Sequence, residues 1–371
     1  MSIHEQYGLT PVINARGTFT PLGVSRSSEQ VRHTVAQALG EFFVIDELQS
    51  VVSQALAETT GAEAGTLTHC AAAGITLSVA AAMTGSDHDR IAALPDAAGM
   101  PDRVVLPAAH AVDYGHPILT DIRLAGATPV LAGSSLSCSI ADIDAALAHE
   151  RTACLLLVSS RLVSGSPLDL KAAVAAAHRR GVPAVIDAAA QDLRIHELLA
   201  TGADIVVVSG QKYLASPTAG LIIGRRDLVR ACRAQEHGIG RAMKATKEAL
   251  LGVLAALAQR RALDLPSWSE AQRMKVRSFV QQADRLCGIR ATEVPDPAGM
   301  PFSRVCLSIE GSGPDWNAAV LAAKLRAGEP SIWLMEHAAQ QGELFLELVP
   351  LQDHELQLVV ERIAALVPGG S

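Results

Sequence analysis

The sequence predicts an α/β protein with a mostly parallel, doubly wound sheet in a large domain and a smaller α+β domain after it. Three observations carry this. Short apolar runs at 104–106, 129–131, 153–158, 184–186 and 205–208 alternate with helix-period segments such as 140–149 and 168–180. The runs have no polar face, as strands covered by helices on both sides require. After Pro266 the order changes to helix, strand, helix, two strands and helix, with strands at 305–309, 332–335 and 344–349. That change implies a second core. The composition agrees: of 371 residues 49% are hydrophobic, mainly Ala, Leu and Val, 19% are charged and only 3% aromatic.

In order along the chain, residues 1–45 read as an N-terminal arm, rich in Gly, Pro, Ser and Thr around Asn14-Ala15-Arg16-Gly17-Thr18 and followed by a helix at 28–40. A helix at 46–60, closed by Gly61, opens the large domain at 46–262. The run 219–223 follows its predecessor by too short a link for a crossover, so it is expected antiparallel. A helix at 241–260 leads away, and residues 263–371 form the small domain.

A net charge of −7 with dispersed basic residues argues against nucleic acid, whose phosphates need clustered Lys and Arg. Cys70, Cys138, Cys154, Cys232, Cys287 and Cys306 lie far apart, with no CxxC pair and no His–Cys zinc spacing, so no metal is expected. Reduced thiols fit the cytoplasm. Met1-Ser2-Ile3-His4-Glu5 lacks a signal-peptide layout, and no uninterrupted apolar run reaches membrane-spanning length. The expected partner is a small molecule.

The chemistry concentrates in Val182-Pro-Ala-Val-Ile-Asp187-Ala-Ala-Ala-Gln191 and Asp204-Ile-Val-Val-Val-Ser209-Gly-Gln-Lys212. Asp187 ends one apolar strand and Lys212 lies just past the next, where doubly wound sheets place their ligands. Alone, Asp187 reads as a helix N-cap and Lys212 as a surface lysine. Together they are what pyridoxal 5′-phosphate (PLP) requires. Lys212 can hold the aldehyde as a Schiff base, and the Asp187 carboxylate can keep the pyridine nitrogen protonated. For the phosphate, Cys70, Ala71 and Ala72 open a small-residue helix whose amides can approach an anion, with Ser209 a second candidate. His110, past the 104–106 strand, could stack on the ring or shuttle a proton. His116, His196 and His237 read as structural.

With these residues placed, the chain resembles the selenocysteine synthase-like branch of fold-type I PLP enzymes, and within it the D-glucosaminate-6-phosphate ammonia-lyase group. The resemblance spans nearly the whole chain. It rests on Val12-Ile13-Asn14-Ala15-Arg16-Gly17-Thr18, residues 68–74, Asp187-Ala-Ala-Ala-Gln191, Ser209-Gly-Gln-Lys212 with Thr218-Ala219-Gly220-Leu221, and Gly240-Arg241-Ala242-Met243-Lys244. It implies Lys212 as the Schiff-base residue, Asp187 as the partner of the pyridine nitrogen, Gln191 near the cofactor, and a homodimer or larger homo-oligomer with shared sites. Two departures stand out. Ala215-Ser216-Pro217-Thr218 replaces a Gly-Pro-Gln-type turn, and Met335 stands where an arginine is common. Arg16 and Asn14 are the candidate substrate binders, Arg16 as the replacement for that cation, since a guanidinium grips a carboxylate with two hydrogen bonds; a salt bridge between subunits is the alternative for Arg16. The expected reaction is proton abstraction by Lys212 at the α-carbon of an amino acid or amino sugar acid, then β-elimination with loss of water or ammonia. A racemase is the runner-up, and a non-catalytic assembly subunit stands behind both.

Overall fold

Aliphatic runs without a polar face become buried strands. The computed structural model describes residues 1–191, 194–311, 313 and 315–367. Its strands are β1 (Val12–Asn14), β2 (Ala64–Thr68), β3 (Arg103–Pro107), β4 (Thr128–Ala132), β5 (Thr152–Val158), β6 (Ala184–Asp187), β7 (Ile205–Ser209), β8 (Gly220–Gly224), β9 (Ile289–Pro295), β10 (Ser303–Ile309), β11 (Ser331–Trp333) and β12 (Glu343–Leu346). The chain divides into two compact units, residues 27–262 and residues 1–26 with 263–371.

The larger unit holds a seven-stranded sheet of order β2-β8-β7-β6-β5-β3-β4. Strands β3 to β7 run parallel, and β8 is antiparallel to both β7 and β2, as the short link predicts. Alternate residues feed two cores. Val105, Leu155, Leu157, Ile186, Val206 and Val208 face one, with the helices Ile45–Thr60 and Lys247–Ala262. Val104, Leu106, Leu156, Val185, Ile205 and Val207 face the other, with the helix Ala71–Thr84. Burial on both faces explains why these strands carry no alternation. The strand order reverses between β3 and β5, and the crevice at their carboxyl ends is where such sheets bind ligands.

The smaller unit packs an antiparallel sheet, β12-β10-β9, with the helices Leu265–Ala283, Ala318–Ala327 and Asp353–Leu366 around Phe279, Leu321 and Val359. The expected arm does not stand apart. β1 pairs in parallel with β11, Ile13 opposite Ile332, and Ile13 is buried in the small unit's core. Residues 27–45 belong to the larger unit instead. The run 332–335 correspondingly pairs with β1, touching β12 through a single bridge, Met335 to Phe345.

Three further differences have local causes. The long helix starts at Lys247, not 241, because Ile239–Met243 forms a 3-10 turn and Lys244 bridges to Thr68. β2, Ala-Gly-Thr-Leu-Thr, reads as a loop by composition, yet all five residues are buried against β8. β9 is an edge strand whose outward positions include Arg290 and Glu293, which masks its apolar face.

Candidate active site

Two glycines set the floor of the site. A Cβ on Gly74 would stand 2.8 Å from Val207 Cγ1, so its absence lets the helix Ala71–Thr84 press onto β7. A Cβ on Gly220 would run into the Cys70 carbonyl and the Ala71 nitrogen, so β8 touches the start of that helix. Ser209 pairs with Gly220 in the ladder. The helix start and the end of β7 are thereby neighbours. The first turn has no side-chain cap: Cys70 is extended and only its carbonyl is engaged, by the Gly74 amide at 3.0 Å. Unsatisfied amides with the helix dipole behind them favour an anion.

Past β7 the chain makes a tight turn. The Gly210 amide donates to the Ala219 carbonyl at 2.8 Å, the Lys212 amide to Ser209 at 3.4 Å and the Ser216 amide to Gly210 at 3.0 Å. Ala215 adopts φ 52°, a left-handed conformation costly for alanine. This is the stretch that departs from the Gly-Pro-Gln-type turn.

Asp187 is 5% exposed, and one carboxylate oxygen accepts from the Ala189 amide at 3.0 Å. Burial pushes its carboxyl up, opposed by that amide and by the Lys212 ammonium nearby. A buried carboxylate so placed is stabilised by a cation arriving beside it. The N-cap role expected for Asp187 alone is met only by the single bond to Ala189, as no helix starts there. Gln191 is 3% exposed, and its Oε1 is buried with no hydrogen-bond partner among the described residues.

His110 closes the crevice between β3 and β5. Its Nδ1 accepts the Val158 amide at 2.8 Å, and Val158 pairs with Asp187. Nδ1 is therefore the acceptor and the proton sits on Nε2. Burial pushes the imidazole down to about 4, so His110 is neutral.

Beyond His110 lies a cluster that the sequence reading passed over. A turn at 113–117 folds His116 back over Tyr114, with rings edge-on at 4.8 Å. The Tyr114 hydroxyl donates to Asp121 Oδ2, and His116 Nε2 stands 2.8 Å from that hydroxyl and 3.3 Å from Asp121 Oδ1. His116 is thus held by both Tyr114 and Asp121. The signal in sequence was Asp113-Tyr114-Gly115-His116-Pro117, a turn-forming stretch dense in titratable groups.

Asn14 and Arg16 lie in the smaller unit. Asn14 Nδ2 donates to the Gly17 carbonyl at 2.8 Å and its Oδ1 accepts the Arg16 amide at 2.9 Å, so the side chain closes its own turn. The Arg16 guanidinium carbon stands 3.9 Å over the Phe19 ring. Met335 is buried, and its sulfur accepts from Arg304 at 3.5 Å. Arg304, which the sequence reading missed, also pairs with Asp296 at 2.7 Å and Glu347 at 3.4 Å.

A neutral imidazole, a buried carboxyl with a lysine beside it and an uncapped helix start, grouped at the carboxyl edge of a doubly wound sheet, suit a planar ring with a protonated nitrogen and a phosphate, as PLP has. Comparison with known proteins agrees. The family model for L-seryl-tRNA selenium transferase matches residues 173–288, a span that contains Asp187 and Lys212. The chain is 36% identical over 364 residues to D-glucosaminate-6-phosphate ammonia lyase of Salmonella typhimurium, covering 98% of this chain and 97% of that one. A structure of D-glucosaminate-6-phosphate ammonia-lyase superposes with a TM-score of 0.89 at 34% identity, covering 99% and 98% of the two chains. A 5′-C-glycyluridine monooxygenase-decarboxylase from Streptomyces is 34% identical over 369 residues, covering 98% and 92%. A serine palmitoyltransferase with PLP shares the fold at a TM-score of 0.58 and 16% identity, covering 96% and 87%.

The fold and the site define a fold-type I PLP-dependent enzyme. Within that class, the chain belongs to the selenocysteine synthase-like family that includes D-glucosaminate-6-phosphate ammonia lyase.

Proposed function

We propose that this enzyme is a lyase that removes a leaving group from the carbon next to the amino-bearing carbon of a hydroxylated or phosphorylated amino acid or amino sugar acid. The full-length 36% identity to an ammonia lyase carries this reading. Bound PLP supplies an electron sink that weakens the bonds to the carbon bearing the substrate amine.

The chain's residues do the rest. Lys212 Nζ would hold the cofactor's aldehyde and would serve as the base for the proton on that carbon. Asp187 holds the ring nitrogen, and burial keeps water from competing for its carboxylate. His110, with its proton on Nε2, would be the group to stack on the ring or donate to it. Ser209 and the amides from Cys70 to Ala72 bind the phosphate, and the Gln191 Oε1 accepts from the cofactor or substrate. Arg16, on its Asn14-closed turn, binds the substrate's acidic group.

Within this reading the enzyme works in the cytoplasm as a homodimer or larger homo-oligomer. Among the described residues no helix is long and apolar enough to cross a membrane.

A visible spectrum followed by borohydride reduction and peptide mapping tests the cofactor role. A yellow protein labelled at Lys212, and a colourless Lys212→Ala, are expected. Label on another lysine would refute the assignment. Release of ammonia and a 2-oxo acid from β-hydroxylated or phosphorylated amino acids then tests the reaction. The nearly equal likeness to a monooxygenase-decarboxylase supports a second reading, in which the bond to the carboxylate breaks. Oxygen uptake with carbon dioxide release, and no ammonia lyase activity, would favour it.

A further inference from the structure

Asp121 is a second buried carboxyl within electrostatic reach of Asp187, and it has its own connection to solvent. Its side chain is 1% exposed, whereas that of His116 is 37% exposed. The Tyr114 hydroxyl joins them, donating to Asp121 Oδ2 with His116 Nε2 at 2.8 Å, and His116 Nε2 also stands 3.3 Å from Asp121 Oδ1. The arrangement is held rigidly. Thr76 Oγ1 on the helix Ala71–Thr84 donates to the Asp121 carbonyl at 3.1 Å, and the Ile118 amide donates to the Val112 carbonyl at 3.0 Å. Gly115, at φ 114°, takes a backbone conformation that L side chains rarely adopt, and this lets the turn reverse.

We propose that His116, Tyr114 and Asp121 form a proton relay that sets the charge beside Asp187, making them positioning residues for the cofactor's ring nitrogen. The inference rests on the PLP reading above. One proton moves in three hops. Solvent protonates His116 at Nδ1, His116 passes its Nε2 proton to the Tyr114 oxygen, and Tyr114 passes its own proton to Asp121 Oδ2. With Asp121 neutral, Asp187 carries the local negative charge alone; with Asp121 ionised, a second buried negative charge acts on Asp187 and would favour the protonated form of a ring nitrogen held there.

The groups that act on Asp121 come from each packed element. Tyr114 and His116 face it from the 113–117 turn and Asp187 from β6, with Lys212 beyond Asp187. Burial and the Asp187 charge push the Asp121 carboxyl up to about 6, against the hydrogen bond from Tyr114 and the attraction of His116. Burial and Asp121 together push the Tyr114 phenol up, so the hydroxyl keeps its proton and serves as a conduit.

The test uses the holoenzyme and its visible absorption band. The wild-type spectrum is expected to titrate with an inflection above the ordinary carboxylate range, because burial and Asp187 push the Asp121 carboxyl up. Asp121→Asn should lose that inflection. Tyr114→Phe, which removes the hydrogen bond that holds the carboxyl down, should move it to higher pH. His116→Gln, at a partly exposed position that leaves the fold intact, should slow the spectral relaxation after a pH jump. Variants that stay coloured but titrate and relax like wild type overturn the relay alone. A wild type that never acquires colour overturns the PLP reading and the relay with it.

Discussion

At His110 a hydrogen bond fixes the tautomer and burial sets the pH dependence. Folded, its imidazole is held down to about 4 by burial, against 6.5 for an ordinary histidine. Between those values the unfolded chain takes up a proton that the folded protein refuses. Stability should therefore be full above pH 6.5 and fall as pH drops toward 4, by at most about 3 kcal/mol from this group. His110→Asn, whose side-chain oxygen can still accept the Val158 amide, should flatten that part of the acid limb in urea titrations. His110→Phe, which leaves the amide without an acceptor, should cost about 1–3 kcal/mol even at neutral pH. Equal pH slopes in wild type and His110→Asn would show that the imidazole is not the group responsible. Legibility at this scale was uneven. Lys212 and Asp187 stood out because each follows an apolar strand whose end is visible in the sequence. Tyr114, His116 and Asp121 did not, because only a folded turn and a docked helix bring them together. Arg304 escaped because a buried arginine on a strand looks like any surface arginine until its two carboxylates are seen beside it.

The helix Ala71–Thr84 and β8 illustrate what an element owes to a single missing side chain. Gly220→Ala would drive a methyl into the Cys70 carbonyl, which is backbone and cannot rotate away. A destabilisation of at least about 2 kcal/mol is expected, together with weaker PLP binding, because the amides proposed to hold the phosphate begin at the same place. Gly85→Ala is the matched control at the other end of the helix. It meets nothing within 4 Å, and only its backbone, φ 57° with ψ −138°, is against it, so a loss of about 1–3 kcal/mol and unchanged PLP affinity are expected. Thermal melts and PLP titrations of the two variants decide this, and an equal loss of PLP affinity in both would refute the link between β8 and the phosphate site. The parallel strands were readable because burial on both faces removes every polar residue from them. β2 was not, since a strand of Gly, Thr and Ala owes its place to a ladder with β8, which lies far along the chain.

At the scale of the molecule, the larger unit exposes a run of apolar side chains, Leu39 at 60%, Phe42 at 100% and Val44 at 61%, just before the helix Ile45–Thr60. Patches of this kind mark protein interfaces. If the proposed homo-oligomer uses it, Phe42→Asp should lower the sedimenting mass while leaving the melting temperature of the larger unit's core near wild type. An unchanged mass would place the interface elsewhere. The sequence conveyed two cores and their order, but not their membership. Nothing in Val12-Ile13-Asn14 announces that its strand partner is Ser331–Trp333, because a three-residue strand carries no pattern and its pairing is fixed only by the core it completes.

That pairing has a bearing on how the protein is made. Val12–Asn14 leaves the ribosome about 320 residues before its partner strand. At roughly 5–20 residues per second, it waits for something between a quarter of a minute and a minute. Meanwhile the whole of residues 27–262 is synthesised and can collapse around its own two cores. A segment made early is thus among the last to find its place, and a change within Val12–Asn14 would be felt in the unit that residues 263–371 complete.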